Sequence, residues 1–415
     1  MKNFTGWQWL LIDAANQYGH DKMTFEDRIK WAEDNLSMLE AIALDGEAKT
    51  RPLYLKAVQA IRKAQNHQPS GHLVGVDACS SGIQIMSALT GCLAGATATG
   101  LIDPDVRADA YAKLTVVMNR LLKAISSVSR PDAKQALMTA FYGSKQTPKD
   151  IFGEDTPELS AFYQAAQEIA PGAWELLHDL LDSWNPYALS HAWKLPDGYD
   201  AFVKVMQTEE TRIEVDELDH STFTYEFSVN KGSKKGLSNA ANVVHSVDAY
   251  VMRTMHRRCN YDVAMATRAA DLIEIELLDR AMYGSGAKDY ACLSEKEAYY
   301  LDQYQRSSLV DITIAPHLTQ LGIMGMTTPY LLKLQSILAA MLSHRPFELV
   351  TVHDEFKAHA NNINHVRYHY KEILADISES ILLDDLLSQV YGTKGTFRKL
   401  QNIGSLIRNS NYALS

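Results

Sequence analysis

Cysteine, proline, glycine and positive charge are all scarce in this 415-residue chain. Its four cysteines (Cys79, Cys92, Cys259 and Cys292) include no C-x-x-C pair, which excludes a disulfide scaffold or a zinc finger and points to a reducing compartment. Twelve prolines and 22 glycines are too few for a collagen-like or low-complexity chain. Long apolar runs are missing as well. The opening MKNFTGWQWLLIDAANQ holds only a short one before Asp13 and Asn16, so it reads as neither a signal peptide nor a membrane span. With 40 basic and 50 acidic residues the formal net charge is −10. Such a chain does not coat duplex DNA with phosphate contacts, so any nucleic-acid role must be local, metal-assisted or shared with a partner. What remains is the composition of an ordinary globular protein, 46% apolar and 22% charged, long enough for two or three subdomains.

Apolar periodicity predicts helices over Met23–Asp45, Pro104–Ser129, Ile83–Leu93, Thr156–Trp184 and Tyr330–Ser343, the first opening on a Thr24-x-x-Asp27 start. Short β signals lie at His72–Val76, Gly198–Met206, Ile213–Tyr225 and Phe347–Val352. The expected class is therefore helix-rich α+β. The stretch 230–239 reads as a basic, Gly/Ser-rich loop, and 265–342 lacks catalytic patterning and reads as an insertion.

Three segments carry chemistry. In Gly71-His-Leu-Val-Gly-Val-Asp-Ala-Cys-Ser-Ser-Gly-Ile-Gln84 an apolar strand ends in Asp77, and small residues turn into a helix; a strand-end carboxylate there can hold a divalent cation beside backbone carbonyls. In Phe347-Glu-Leu-Val-Thr-Val-His-Asp-Glu-Phe356 a second apolar strand runs into His353-Asp354. If the two aspartates meet, they can hold two Mg²⁺ ions about 3.5–4 Å apart for in-line displacement at phosphorus. Third, Ser129–Gly143 places Arg130, Lys134 and Met138 one turn apart on one helix face that Tyr142 continues, a surface suited to a triphosphate with its sugar near the phenol. Each segment also has an ordinary structural reading, as a turn former or a solvated helix edge.

In this order the three segments resemble motifs A (D-x-x-x-S-G-I-Q), B (R-x-x-x-K-x-x-x-M-T-x-x-Y-G) and C (H-D) of the single-subunit RNA polymerases of phages and mitochondria. Weaker resemblances lie at Trp9–Asn16, Phe25–Lys30, Leu195–Tyr199, Val244–Asp248 and Tyr412–Ser415. The resemblance implies a right-hand polymerase with palm at 1–95 and 246–415, fingers at 96–245, the insertion inside the palm, and the N-terminal and thumb parts missing. It implies DNA-templated RNA synthesis in the cytoplasm of an infected bacterial host. Asp77 and Asp354, with the Ala78 backbone carbonyl, would ligate two Mg²⁺ ions. Arg130 and Lys134 would grip the triphosphate. Tyr142, supported by His245, Gly82 and Gly143, would contact the nucleotide and help select ribose. Gln84, Lys231, Lys234, Lys235, Arg253 and His353 are candidates for nucleic-acid contact, and Arg257 and Arg258 lie beside them.

Departures from the family pattern sharpen the resemblance. Gln135 replaces a usually basic residue after the motif B lysine, and motif C continues into Glu355, as in family A DNA polymerases. A D-x-x-G-R element is absent, and the stretch between Val244-His-Ser and motif C is long. Both features resemble the larger subunit of the split, two-chain RNA polymerases of N-four-like phages. That implies a small partner subunit carrying D-x-x-G-R, a recruiting factor that binds single-stranded DNA, and apolar surface around Trp7, Trp9 and Leu10 awaiting the partner. Template DNA, nascent RNA and nucleoside triphosphates would be the other ligands, with no membrane involved. The alternatives are a family A-like DNA polymerase and a non-catalytic scaffold. Against the first, the position five after Asp77, where those enzymes keep a ribose-excluding Glu, is Gly82. His365 and His369, four apart, read as an exposed helical pair rather than a zinc site.

Overall fold

A computed structural model describes residues 1–44, 48–123, 126–234, 236, 238–284, 293–395 and 399–415. The fold is helix-rich α+β and holds three small antiparallel sheets. The central sheet has the order β1 (Val74–Asp77), β7 (Glu355–Ala358), β6 (Val350–Val352). Two hairpins complete the β structure: β2 (Ser190–Lys194) with β3 (Asp200–Lys204), and β4 (Met206–Val215) with β5 (Ser221–Asn230). Among the described residues no helix is long and apolar enough to cross a membrane.

One hydrophobic core runs from Trp9 to Leu414 and includes Val74, Val76, Phe356 and Ala358 of the central sheet. A second, separate core gathers residues between Ala266 and Met341, among them Ile273, Ile314, Leu334 and Leu338. The helix after β1, Ser81–Thr90, is buried along its whole length, its small and apolar residues allowing close packing on every side. Its largest polar residue, Gln84, is fully bonded inside the protein. Nε2 donates to the Thr99 and Ala413 carbonyls (both 3.0 Å), and Oε1 accepts from the Tyr370 hydroxyl (2.8 Å). Gln84 is therefore a knot between distant segments and not a nucleic-acid contact. Replacing it with Leu leaves these buried groups without partners; the expected loss, measured by denaturant unfolding, is on the order of 3 kcal/mol.

Local chemistry redraws several expected boundaries. The stretch Met23–Asp45 divides into helices Phe25–Asp34 and Leu39–Leu44, because the Asn35 side-chain amide bonds back to the Trp31 carbonyl (2.7 Å) and ends the first. Its start is as expected, with Thr24 accepting from the Asp27 N–H. The helix expected from Pro104 instead spans Ala110–Leu122, because Asp103 folds Asp105 and Val106 into a turn and Asp109 supplies the N-terminal cap. Pro171 divides 157–182 into two helices. The segment Ile213–Tyr225 is not one strand. A turn at Asp216–Leu218 and left-handed Asp219 and His220 (φ 50° and 59°) fold it into the β4–β5 ribbon.

Two further expectations fail for lack of exposure. Trp9 is fully buried and Leu10 nearly so; Trp9 packs edge-on to Phe4 and Phe25, lies beneath the Arg367 guanidinium, and donates its indole N–H to Asn364 (3.0 Å). The N-terminal helix Gly6–Ala15 thus spends its apolar face on this chain's own core. His369 is also buried, with Nε2 at 3.0 Å from His344 Nε2, and burial beside Arg258 holds its pKa well below the usual imidazole value.

Candidate active site

The central sheet brings the two motif aspartates together. In the β1–β7 ladder Asp77 stands opposite Glu355, and the two-residue turn His353-Asp354 joins β6 to β7. His353 takes the left-handed conformation (φ 54°) and is exposed, so Asp354 emerges at the sheet end beside Asp77. The Asp77 carbonyl accepts from the Ser415 N–H (3.0 Å), and Ala78 bridges to Leu414; this pairing lays Tyr412–Ser415 along the sheet edge and fixes the end of β1.

The electrostatics register the crowding. Asp77 is pushed up to about 6, first by desolvation, then by Asp354 and Glu355. Asp248, on the helix Ser238–Cys259, is also pushed up to about 6, by burial and again by Asp354. Two carboxylates from different elements therefore sense the same third one. Oxygen charge gathered in this way fits a hard divalent cation such as Mg²⁺, which Asp77 and Asp354 could hold with the Ala78 carbonyl. The group is not tightly clustered. Among the described residues, the set whose ligand atoms all lie within 4.8 Å of one another is Glu214, Asp216 and His220, exposed at the far tip of the β4–β5 ribbon.

The raised carboxyls have a stability consequence. Their folded pKa values lie above the unfolded value, so their contribution is full below about pH 4 and is lost as pH rises through 6. Asp248→Asn is thus expected to raise the melting temperature of the metal-free protein at pH 7.5, with the gain shrinking toward pH 5. An equal gain at both pH values contradicts this electrostatic account.

The cationic wall comes from the helix Arg130–Ala140. Ser129 caps it by accepting from the Asp132 N–H, and Pro131 sits in the first turn, where no N–H is needed. Arg130 and Lys134 lie one turn apart, both over the Tyr111 ring at 5.6 and 5.5 Å from its centroid. Arg130 is also held by Asp109, with Nε and Nη2 at 3.0 and 2.6 Å from Oδ2. Met138 continues this face into solvent. Tyr142 lies just past the helix end. There Gly143 (φ 92°), in a conformation that favours glycine, turns the chain away.

Tyr142 is the most tightly defined side chain of the site. Its ring stacks on His245 with centroids 4.6 Å apart and planes 1° from parallel. Its hydroxyl hydrogen-bonds Ser81, while burial, Asp248 and Asp354 push the phenol up to about 12. The hydroxyl occupies the space that a side chain at position 82 would need: a Cβ on Gly82 would lie 2.5 Å from Tyr142 Oη and 2.9 Å from Cζ.

Asp77, Ala78, Arg130 and Lys134 all line one cleft of about 640 Å³. So do Arg107, Tyr111, Lys22 and Lys49, four residues that sequence reasoning did not single out. Tyr111 and Arg107 lack a motif signature, and Lys22 and Lys49 reach the cleft only through the fold of the N-terminal segment. Asp248 was visible within Val244–Asp248 but without a role; its three-residue offset from His245 is the signal that places both on one side of a helix.

The remaining candidates for nucleic-acid contact lie elsewhere. Arg253, half-buried, is engaged within the protein, with Nε and Nη2 at 2.7 and 3.0 Å from the buried Asp197 carboxylate and its guanidinium over Tyr199 (4.4 Å). That clamp also engages Arg257, so Asp197 and Tyr199 anchor the β2–β3 turn rather than leaving Arg253 free. Lys231 pairs with Glu209 (3.1 Å) and Lys234 is exposed, while Lys235 falls outside the described residues.

Comparison with known proteins adds two findings. Residues 2–150 match the family of DNA-dependent RNA polymerases. The chain is also 24% identical, over 305 aligned positions, to a protein of Pseudomonas phage phiKMV named DNA-directed RNA polymerase; the match takes in 59% of this chain and 37% of that relative. The chain thus spans well under half the length of the curated relative it matches.

Proposed function

We propose that this chain, whose first third matches DNA-dependent RNA polymerases, catalyses DNA-templated RNA synthesis in a phage-infected bacterium. The observation that carries the reading is the meeting, around one cleft, of Asp77 and the motif B cations Arg130 and Lys134, with Asp354 beside Asp77. The substrates are nucleoside triphosphates, the template DNA and the 3′ end of a nascent transcript. Palm is assigned to 1–95 and 246–415 and fingers to 96–245, with 265–342 inserted in the palm.

In this reading Asp77 and Asp354 hold two Mg²⁺ ions. Bound there, the metal supplies charge neutralisation at the α-phosphate and lowers the pKa of the attacking 3′-hydroxyl. Arg130 and Lys134 neutralise the diphosphate as it leaves with the bridging oxygen electrons, and Asp109 keeps Arg130 extended into the cleft. Tyr142, held flat by His245 and seated over Gly82, faces the sugar. Resemblance to the split polymerases extends the proposal to a two-chain enzyme whose small subunit carries the D-x-x-G-R element, recruited by a factor that binds single-stranded DNA.

Sugar choice tests the assignment. Tyr142→Phe removes the hydroxyl yet keeps the stack on His245, so the ratio of ribo- to deoxyribonucleotide incorporation on a primed template should fall. One hydrogen bond of this kind is worth roughly 1–3 kcal/mol, or about 5- to 150-fold in discrimination, with overall rate little changed. An unchanged ratio removes Tyr142 from sugar selection. A wild-type preference for deoxynucleotides points instead to a DNA polymerase.

A further inference from the structure

Among the described residues, five cations line the cleft that holds Asp77: Lys22, Lys49, Arg107, Arg130 and Lys134. Four of them have other attachments. Arg130 donates from both Nε and Nη2 to Asp109 Oδ2, so the two-pronged edge of its guanidinium is already occupied. Lys22 and Lys49 approach Asp21 at 3.0 and 3.8 Å, and Lys134 lies over the Tyr111 ring. Arg107 is different. Its Nη1 donates to the neighbouring Ala108 carbonyl, while its Nε is shut away from solvent with no acceptor.

The local chain explains how Arg107 comes to be there. Asp103 accepts from the N–H groups of Asp105 and Val106, and the turn it makes leads into the helix that Asp109 caps. One short segment thus delivers Arg107, the Asp109 that holds Arg130, and the cleft residue Tyr111. The charge of Arg107 is felt on two sides. Asp77, pushed up by desolvation and by Asp354 and Glu355, is drawn part of the way back by Arg107. Against desolvation, Lys22, Lys49 and Arg107 together hold Asp21 below the usual carboxylate range.

A buried N–H without an acceptor is costly, so the free protein keeps Arg107 in a state that a ligand can improve. A guanidinium grips phosphate best, through two parallel N–H donors to two oxygens. Five cations around one cleft call for a polyanion. Motif B itself offers only two of them, because Gln135 follows Lys134.

We propose that Arg107 swings its Nε–Nη2 edge onto the β- and γ-phosphates of the incoming nucleoside triphosphate and holds the diphosphate until it departs. The inference rests on the nucleotidyl-transfer reading of the cleft. Arg107 then supplies the two-pronged phosphate contact that Arg130, committed to Asp109, does not.

The test is single-nucleotide addition by the full chain on an RNA-primed DNA template with Mg²⁺, with inorganic pyrophosphate as the competing probe. Arg107→Met removes charge and donors, Arg107→Gln keeps an N–H for the Ala108 carbonyl, and Arg107→Lys keeps the charge without the two-pronged edge. The Met and Gln variants should raise the KM for the complementary ribonucleotide by about 10- to 100-fold and weaken pyrophosphate inhibition by a similar factor. Lysine should recover part of each. The kcat, and the affinity for labelled primer–template by fluorescence anisotropy, should change little. An unchanged KM, pyrophosphate inhibition that ignores Arg107, or a loss confined to primer–template affinity would overturn the proposal. So would a melting temperature lowered in all three variants, which makes Arg107 a structural cation. A wild type that adds no nucleotide overturns the proposed function and this inference together; wild-type addition beside unaffected variants overturns this inference alone.

Discussion

Asp77→Asn and Asp354→Asn should each abolish nucleotide addition on a primed template, by at least a hundredfold, while leaving the fold intact. The carboxylates occupy the end of the central sheet, where Asp77 is already pushed up to about 6 by desolvation and by Asp354. A divalent cation relieves that repulsion. Asparagine removes ligand charge without removing volume, so the loss falls on chemistry rather than folding. Losing one element of charge stabilisation typically costs about 3 kcal/mol or more, which is two decades in rate. Thermal unfolding separates the two effects: in the metal-free state at pH 7.5 neither variant should melt below the wild type. Near-normal extension by either variant takes that residue out of the mechanism.

Gly82→Glu should be nearly as damaging, by a steric route. The new Cβ alone would stand 2.5 Å from Tyr142 Oη and 2.9 Å from Cζ, closer than real Cβ contacts come. Tyr142 cannot retreat easily, because one face of its ring lies against His245. Either the stack breaks or the helix Ser81–Thr90 shifts, and that helix is packed throughout its length. Overpacking of this kind costs about 1–3 kcal/mol, so kcat/KM for ribonucleotides should fall by about 5- to 150-fold. Gly82→Ala should show a smaller loss of the same sign. Wild-type kinetics in the Glu variant would mean that Tyr142 is not held where the structure places it.

The parts of the site legible in the sequence are those written in short range. Asp77 and Asp354 close apolar strands, Arg130 and Lys134 repeat at one helical turn, and Thr24 caps the helix it precedes. The helix-rich α+β class came from the same local signals. What stayed hidden depends on partners far along the chain. Gln84 reads as a nucleic-acid contact until Tyr370 and Ala413 are seen to satisfy it. Trp9 reads as exposed until Asn364 and Arg367 close over it. Arg253 reads as a free cation until Asp197 arrives from the β2–β3 turn. The ribbon reads as one strand because its reversal uses left-handed Asp219 and His220 rather than an Asn-Gly or Asp-Gly pair.

The central claim, templated addition of ribonucleotides at Asp77 and Asp354, is tested most directly by single-nucleotide extension. An RNA primer annealed to a DNA template is mixed with the wild-type chain, Mg²⁺ and each of the four ribonucleotides or deoxyribonucleotides in turn. The account predicts extension by one residue only with the ribonucleotide complementary to the template base, and none with Asp77→Asn. Extension that ignores the template base, prefers the deoxyribonucleotide, or persists in Asp77→Asn would contradict it.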